Sequence, residues 1–328
     1  MASDFISKRK VAYVISIALM VLSFASFAVR GLNLGAEFTG GRAYVVRFDK
    51  AVSAEEVRQN LTEAFAKIDN ADASSISIEV KQYGNENQMR IVTQYRYDDT
   101  SDEATAEVER ILYDALKPLY SYEISFDQFR NTQTDLNGIL TADKIGPSIA
   151  QDMTWNAIYA VLFSLIAIGL YITFRFKRWQ WATGATLALA FNALLIIGIF
   201  SMFYGILPFN LEVNQAFIAA ILTIIGYAIN DTVVVFDRIR EYMTLYPKRN
   251  LKELVNGAIN STLSRTINTS GTTLVTLLAI VIFGGETIRG FIFALIIGVI
   301  VGTAATIFIA TPMAYDLMKK RAKLDEEK

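Results

Sequence analysis

The stretch from Ala216 to Glu241, AFIAAILTIIGYAINDTVVVFDRIRE, constrains the fold more than any other part of the chain. About twenty of its residues form a run apolar enough to cross a bilayer as a helix. Asn230 and Asp231 nevertheless sit inside that run, before Asp237, Arg238 and Arg240 end it. A carboxylate at the centre of a spanning helix costs about 2.5–3.5 kcal/mol on insertion scales. Such a group is kept where a partner or a watery cavity offsets the cost. The competing reading leaves Asp231 at the helix end, in the headgroup layer. Three valines and Phe236 follow it before the charges begin, which argues for depth.

Five more apolar runs accompany this one, at about residues 11–29, 155–174, 181–203, 265–283 and 291–313. The chain is 53% hydrophobic but still 19% charged, which fits spans plus one polar domain. The expected fold is a polytopic α-helical membrane protein with six spans. Lys8, Arg9 and Lys10 precede the first run. That run could be a signal peptide cut near residues 26–28, but it is long for one and further spans follow, so it reads as an uncleaved span. Basic residues then recur at Arg175, Lys177 and Arg178, at Arg240, Lys248, Arg249 and Lys252, and at Lys319, Lys320, Arg321 and Lys323. By the positive-inside rule these loops and both termini are cytoplasmic. Residues 31–152 are then a periplasmic domain with its connector, 153–314 a five-span bundle, and 315–328 a basic cytoplasmic tail. Leu251, Leu254, Val255, Ala258 and Ile259 recur at helical spacing, so the segment near 240–264 reads as an amphipathic helix lying on the membrane.

The polar domain opens on a glycine-rich string, Gly31 to Gly41, which includes Gly35, Glu37, Phe38, Thr39 and Gly40. No Lys-Ser/Thr follows its glycines, so it is not a phosphate-binding loop. A strand is expected at 43–48, a helix from the capping box at Ser53 to about 68, and strands at 76–83 and 88–95. A second helix, 102–116, starts behind Ser101, and a last strand spans 120–129. The order β-α-β-β-α-β is ferredoxin-like. Nothing in it forms an active-site constellation, and residues 134–151 read as a polar connector.

Asp231 requires a partner, and the fifth run offers one. Arg265, Asn268, Thr269, Thr272, Thr273 and Thr276 fall on one helical face. Counted from the outer ends of their spans, Asp231 and Arg265 lie at depths of roughly 22 and 27 Å, so a contact is allowed. Burial would favour the neutral acid and Arg265 the carboxylate. Movement of Arg265 would then couple proton affinity to conformation. Helix-to-helix hydrogen bonding explains the threonines equally well, but explains the arginine poorly. Asn192 reads as a residue that binds helices together. Gly290, Ala294, Gly298 and Gly302, four apart, read as a close-packing seam. There is no Cys and no His, which excludes disulfides, Cys-ligated metals and an imidazole relay. The net charge of -1 gives no pull toward nucleic acid.

Gly31–Gly41, Ile145-Gly146-Pro147, Asn230–Arg240, Ser264–Thr273 and the later Gly284-Gly285-Glu286 and Gly298–Gly302 segments together resemble the SecF family of the bacterial Sec export machinery. The resemblance covers nearly the whole chain. It implies a six-span bundle of the RND type with its large domain in the periplasm. It also implies a non-enzymatic role: with SecD, and beside SecYEG and YajC, the chain would use protons to pull unfolded polypeptide across the inner membrane. Protons would be its only coupling ion, without a cofactor or metal. The family's proton-pathway residues map onto Asp231 and Arg265, with Asn230 and Thr269 beside them. Gly35, Glu37–Gly41, Asp237 and Arg238 are family motif positions. Glu37 stands where the family usually has Asp, and Ala228 where it usually has Ser. A SecD–SecF fusion with this chain as one half remains open. An RND-like exporter of small molecules or lipids would usually carry two homologous halves in one chain. A passive assembly scaffold would make the Asp231–Arg265 pair merely structural.

Overall fold

In the computed structural model, residues 4–69, 78–99, 101–130, 137–207, 209 and 211–326 are described. They fall into two compact units, one of residues 34–156 and 285–287, the other of residues 1–33, 157–284 and 288–328. Helix α1 (Arg9–Arg30) opens the larger unit. The chain then builds the smaller one from α2 (Ala36–Thr39), β1 (Gly41–Arg47), α3 (Ala54–Asp69), β2 (Ile78–Tyr83), β3 (Asn85–Thr93), α4 (Asp102–Leu116), α5 (Phe126–Arg130) and β4 (Gly138–Ile145). Long helices follow: α6 (Pro147–Phe176), α7 (Trp179–Phe203), α8 (Gln215–Leu245), α9 (Leu251–Phe283) and α10 (Glu286–Ala305). A π-helical turn, Thr306–Ala310, joins α10 to α11 (Thr311–Glu326).

The smaller unit has one four-stranded antiparallel sheet in the order β2-β3-β1-β4. Strand alternation sends Tyr44 and Val46 of β1, paired with Ile91 and Met89, to one face. There they pack with Val57, Leu61 and Phe65 of α3 and Val108, Leu112 and Leu116 of α4. Full burial of each large side chain contributes about 1.5–3 kcal/mol. Ala43 and Val92 fall on the other face and pack against Ala36 of α2. Ser101 caps α4 by accepting from the Ala104 N–H at 3.1 Å, as the sequence predicts. Ser53 accepts from the Glu55 N–H at 3.3 Å ahead of α3.

The last strand of this unit lies elsewhere than expected. Residues 120–125 are irregular and Phe126–Arg130 is a short helix, while β4 occupies part of the supposed connector. Tyr120, Ile124 and Phe129 are buried, so their alternation reports anchoring of a loop in the core. β4 has a polar, exposed middle and so gives little hydrophobic signal. The first residues of the expected 76–83 strand, 76 and 77, lie outside the described residues.

Among the described residues six helices are long and apolar enough to cross a membrane: α1, α6, α7, α8, α9 and the helix Ile288–Lys320 formed by α10, the π turn and the start of α11. Within the larger unit α7 is central and packs on α1, α8 and α11. Trp181 of α7 meets Phe236 of α8 and Phe176 of α6, with ring centroids 4.7 and 6.0 Å away. One expectation fails here. No separate amphipathic helix precedes the fifth span, because α9 runs unbroken for 33 residues through Arg265. Val255, Ala258 and Ile259 are buried in one cluster with Phe236, Ile239 and Tyr315, and Leu254 is buried too, so their periodicity reports a protein contact. Residues 315–326, in the basic tail, continue α11.

The start of α1 is fastened to α11, and the short turn before it to α9. Arg9 Nε donates to both oxygens of Asp316 at 2.9 and 3.0 Å, and Tyr13 donates to Asp316 at 3.2 Å. The Ile6 N–H donates to Asn256 Oδ1 at 3.1 Å, and Lys252 pairs with Asp4 at 2.9 Å.

Candidate functional site

Asp231 lies near the middle of the 31-residue α8 and is 6% exposed. Placing it there is costly, and the surrounding helices supply uncharged polar groups. Ser270 of α9 donates to Asp231 Oδ2 across a long 3.5 Å. Ser270 Oγ also lies 2.6 Å from Thr303 Oγ1 on α10. One residue along α8, Thr232 Oγ1 lies 2.8 Å from Thr306 Oγ1 in the π turn. Thr306 donates to the Gly302 carbonyl at 3.2 Å, and Thr311 to the Thr306 carbonyl at 2.8 Å. A π turn widens the helix by one residue and is often found at functional sites.

The small-residue seam lets these groups approach. Ala294, Gly298 and Gly302 are buried, and Gly290 is half-buried. A Cβ on Gly298 would lie 2.5 Å from Ile224 Cγ1, and one on Gly302 would lie 2.8 Å from Asn192 Nδ2. Asn192 donates to the Gly298 carbonyl at 3.1 Å, while its Oδ1 accepts no hydrogen bond among the described residues. The amide therefore links α7 to α10 with one acceptor left over.

The expected partners of Asp231 are placed differently. Arg265 acts on it electrostatically, but among the described residues no ion pair joins the two. Arg265, Asn268, Thr269, Thr272 and Thr276 are exposed on the chain, and Asn230 is exposed on α8. The Thr269 hydroxyl turns back to the Arg265 carbonyl at 2.9 Å. From the predicted face, Thr273 reaches α8, 3.1 Å from the Tyr227 hydroxyl. The face of α9 that is buried carries Thr262, Thr266 and Ser270 instead. Their i, i+4, i+8 spacing is itself a sequence signal, hidden beside the richer threonine stripe.

Asp237 and Arg238 tie helix ends together. Asp237 pairs with Arg175 of α6 at 3.0 Å and with Arg240 at 3.3 Å. Arg238 donates to Ser261 of α9 at 3.2 Å and to Glu241 at 2.7 Å, and it lies over the Tyr242 ring.

The glycine-rich motif belongs to the smaller unit, where it makes a single turn and the entry to the sheet. Phe38 and Thr39 donate their N–H groups to the Gly35 carbonyl, and Gly40 donates to that of Ala36. Gly40 and Gly41 have φ of +72 and +139, in the region that favours glycine. A Cβ on Gly41 would also lie 3.1 Å from the Thr93 carbonyl oxygen. Glu37 Oε1 sits 3.8 Å from Arg90. Just past the glycines, Arg42 is 1% exposed and donates to Thr105 Oγ1 at 2.8 Å and to the carbonyls of Asp99 at 2.8 Å and Arg96 at 3.3 and 3.4 Å. The Asp99 carboxylate accepts from the Ser101 N–H and from Arg96, which hold its pKa well below the usual carboxylate range. Among the described residues no group of acidic side chains converges as a metal site.

Two family models match the chain: the C-terminal region of the protein export membrane protein SecD/SecF over residues 125–320, and the SecD/SecF GG motif over residues 25–52. The chain belongs to the SecD/SecF family. The curated protein translocase subunit SecF of Rhodothermus marinus is 40% identical over 318 residues, covering 97% of this chain and 94% of that protein. SecF of Rickettsia rickettsii is 34% identical over 310 residues, covering 94% and 90%. Among solved structures, SecDF from Thermus thermophilus superposes with a TM-score of 0.75 at 30% identity. The match covers 97% of this family member but only 39% of that chain, so the SecF-family chain spans about two-fifths of SecDF. A second SecDF structure, in a super-membrane-facing form, matches with a TM-score of 0.65, also at 30% identity, covering 100% of this chain and 40% of that one.

Proposed function

We propose that this multi-pass membrane protein is the SecF subunit of a bacterial Sec protein-export complex, in which Asp231 exchanges protons to drive late movement of polypeptide across the inner membrane. The observation that carries the reading is the carboxylate buried at mid-span among hydroxyl groups, with no ion pair to Arg265 among the described residues. Such a group can gain and lose a proton without breaking a salt bridge. One charge crossing 100 mV is worth about 2.3 kcal/mol, enough to bias two conformations strongly.

SecD is the proposed partner, with SecYEG and YajC nearby. The exposed stripe from Arg265 to Thr276 supports a partner, because an arginine and hydroxyls facing lipid are costly. Arg265, Asn230 and Thr269 would then belong to a proton path completed at that interface. In this arrangement the termini are cytoplasmic, the domain of residues 31–152 is periplasmic and meets the unfolded client, and no catalysis or cofactor is involved.

The test is export into inverted membrane vesicles with and without an imposed proton gradient, at equal protein level. Asp231→Asn is expected to abolish the gradient-dependent part while leaving complex assembly intact. Variant vesicles that export as fast as wild type under the gradient would sink the proton-carrying role.

A further inference from the structure

We propose that Ser270 and Thr303 form a two-hydroxyl relay that reports the charge state of Asp231 to the last span, by reversing the direction in which their hydrogen bonds run. The proposal rests on the reading of Asp231 as a proton carrier, and names how the neighbouring helices sense the proton.

The three residues lie on α8, α9 and α10. Ser270 Oγ is the shared centre, 3.5 Å from Asp231 Oδ2 and 2.6 Å from Thr303 Oγ1. Ser270 is 5% exposed, so bulk water does not compete for it. Each hydroxyl has one proton to donate and lone pairs to accept with. An ionised carboxylate can only accept. Ser270 must then donate to Asp231, and Thr303 donates to Ser270. A protonated Asp231 becomes a donor. Ser270 accepts from it and turns its own proton to Thr303. Thr303 must then release its proton elsewhere, and a helical threonine has a standing alternative in the carbonyl four residues back. Thr306 already makes that bond, to the Gly302 carbonyl at 3.2 Å.

Both directions use the same three oxygens and need only rotation of hydroxyl groups. They are not mechanically equal. A hydroxyl bound to a carboxylate favours about 2.5–2.7 Å, well short of the present 3.5 Å separation. An uncharged O–H···O bond favours about 2.7–2.8 Å, so ionisation draws α9 slightly closer to α8, and holds it more strongly, than protonation does. The relay itself makes and breaks no covalent bond.

Few charges compete for this role. Arg265 of α9 is the charged group that acts on Asp231. On α8, Tyr227 is engaged by Thr273, and Asp237 is paired with Arg175 and Arg240. α7 carries no ionisable residue, and those of α10, Glu286 and Arg289, lie at the end of the helix far from Thr303. On α11, Asp316 is held by Arg9 and Tyr13.

The test uses membrane vesicles holding the full chain with SecD, and dicyclohexylcarbodiimide, which reacts with protonated buried carboxyls. The signal is the labelling absent from Asp231→Asn, followed against pH. Ser270→Ala removes a donor to the carboxylate, so the pH of half-labelling is expected to rise by up to about one unit. Thr303→Val is expected to give a smaller rise. The double variant should match Ser270→Ala alone, because Thr303 reaches Asp231 only through Ser270. Ser270→Thr and Thr303→Ser should restore the wild-type profile. If Ser270→Ala does not accumulate in the membrane, Ser270→Cys, with its weak S–H donor, should shift the profile in the same direction. A wild-type profile for Ser270→Ala or Ser270→Cys overturns the relay, as does a double variant that shifts by the sum of the singles. Gradient-driven export is scored in the same vesicles. A shifted profile with export indifferent to the gradient would refute Asp231 as the carrier and leave the relay standing.

Discussion

Arg42 and Asp231 are both buried ionisable side chains, one in each unit, and they are held in opposite ways. Arg42, 1% exposed, spreads its donors over Thr105 and two backbone carbonyls. The loop that supplies those carbonyls is itself pinned by Arg96, Asp99 and Lys144. Asp231, 6% exposed, has one long bond to a serine that is also engaged elsewhere. A saturated buried charge is a fixed structural part. An under-satisfied one has little to lose when it takes up a proton. The difference separates a group that holds a fold from one suited to change state within it.

The comparison breaks or sharpens first on Arg42. Arg42→Leu removes the side-chain donors to Thr105 and to the Arg96 and Asp99 carbonyls and loosens the loop, and should cost about 3 kcal/mol. Thermal unfolding of the detergent-solubilised chain reads this out, and an unchanged melt would remove Arg42 from its structural role. Gly298→Ala comes next. Its new methyl would meet Ile224, which is 2% exposed and has no room to yield, so about 1–3 kcal/mol should be lost in the same assay. No loss would mean that α8 and α10 do not approach as described, and the hydroxyl cluster would go with them. Asp231→Asn should be the mildest, within about 1 kcal/mol of the parent, because the amide keeps the shape and no ion pair is broken. A loss as large as that of Arg42→Leu would make Asp231 a structural anchor and erase the contrast.

Much of this was legible in the residues, and the failures have physical causes. The runs of apolar residues gave the spans, and the alternation in 43–48 and 88–95 gave the central strands, a few residues off their observed bounds of Gly41–Arg47 and Asn85–Thr93, because those faces are buried. β4 was missed because its middle, Thr141, Ala142 and Asp143, is exposed and carries no large apolar residue, whereas the loop before it carries Tyr120, Ile124 and Phe129 into the core. Asp231 announced itself as a charge in an apolar run. Ser270 did not, because polar residues on a spanning helix are expected to face inward, and α9 has two polar faces. The richer one, from Arg265 to Thr276, is largely exposed on the single chain. Sequence periodicity finds a polar face but does not say which of two meets the bundle. Arg42 was passed over because an arginine at the head of a strand looks like any solvated charge until the loop that wraps it is in place.

The fastening of the first helix to the last sets the order in which the protein can be completed. Arg9 and its partner Asp316 are 307 positions apart. At about 5–20 residues per second, a ribosome takes on the order of tens of seconds to travel that distance. Throughout that interval Arg9 and Tyr13 lack their carboxylate, while the other end of α1 is already held to α7, by Ser26 on Ser201 at 3.0 Å and by Arg30 donating to the Met202 carbonyl at 2.8 Å and the Tyr204 carbonyl at 2.6 Å. Only the N-terminal end of α1 therefore waits for the final helix. Truncation ahead of Asp316 would shorten the last span by its final residues and leave the start of the first unlatched from it.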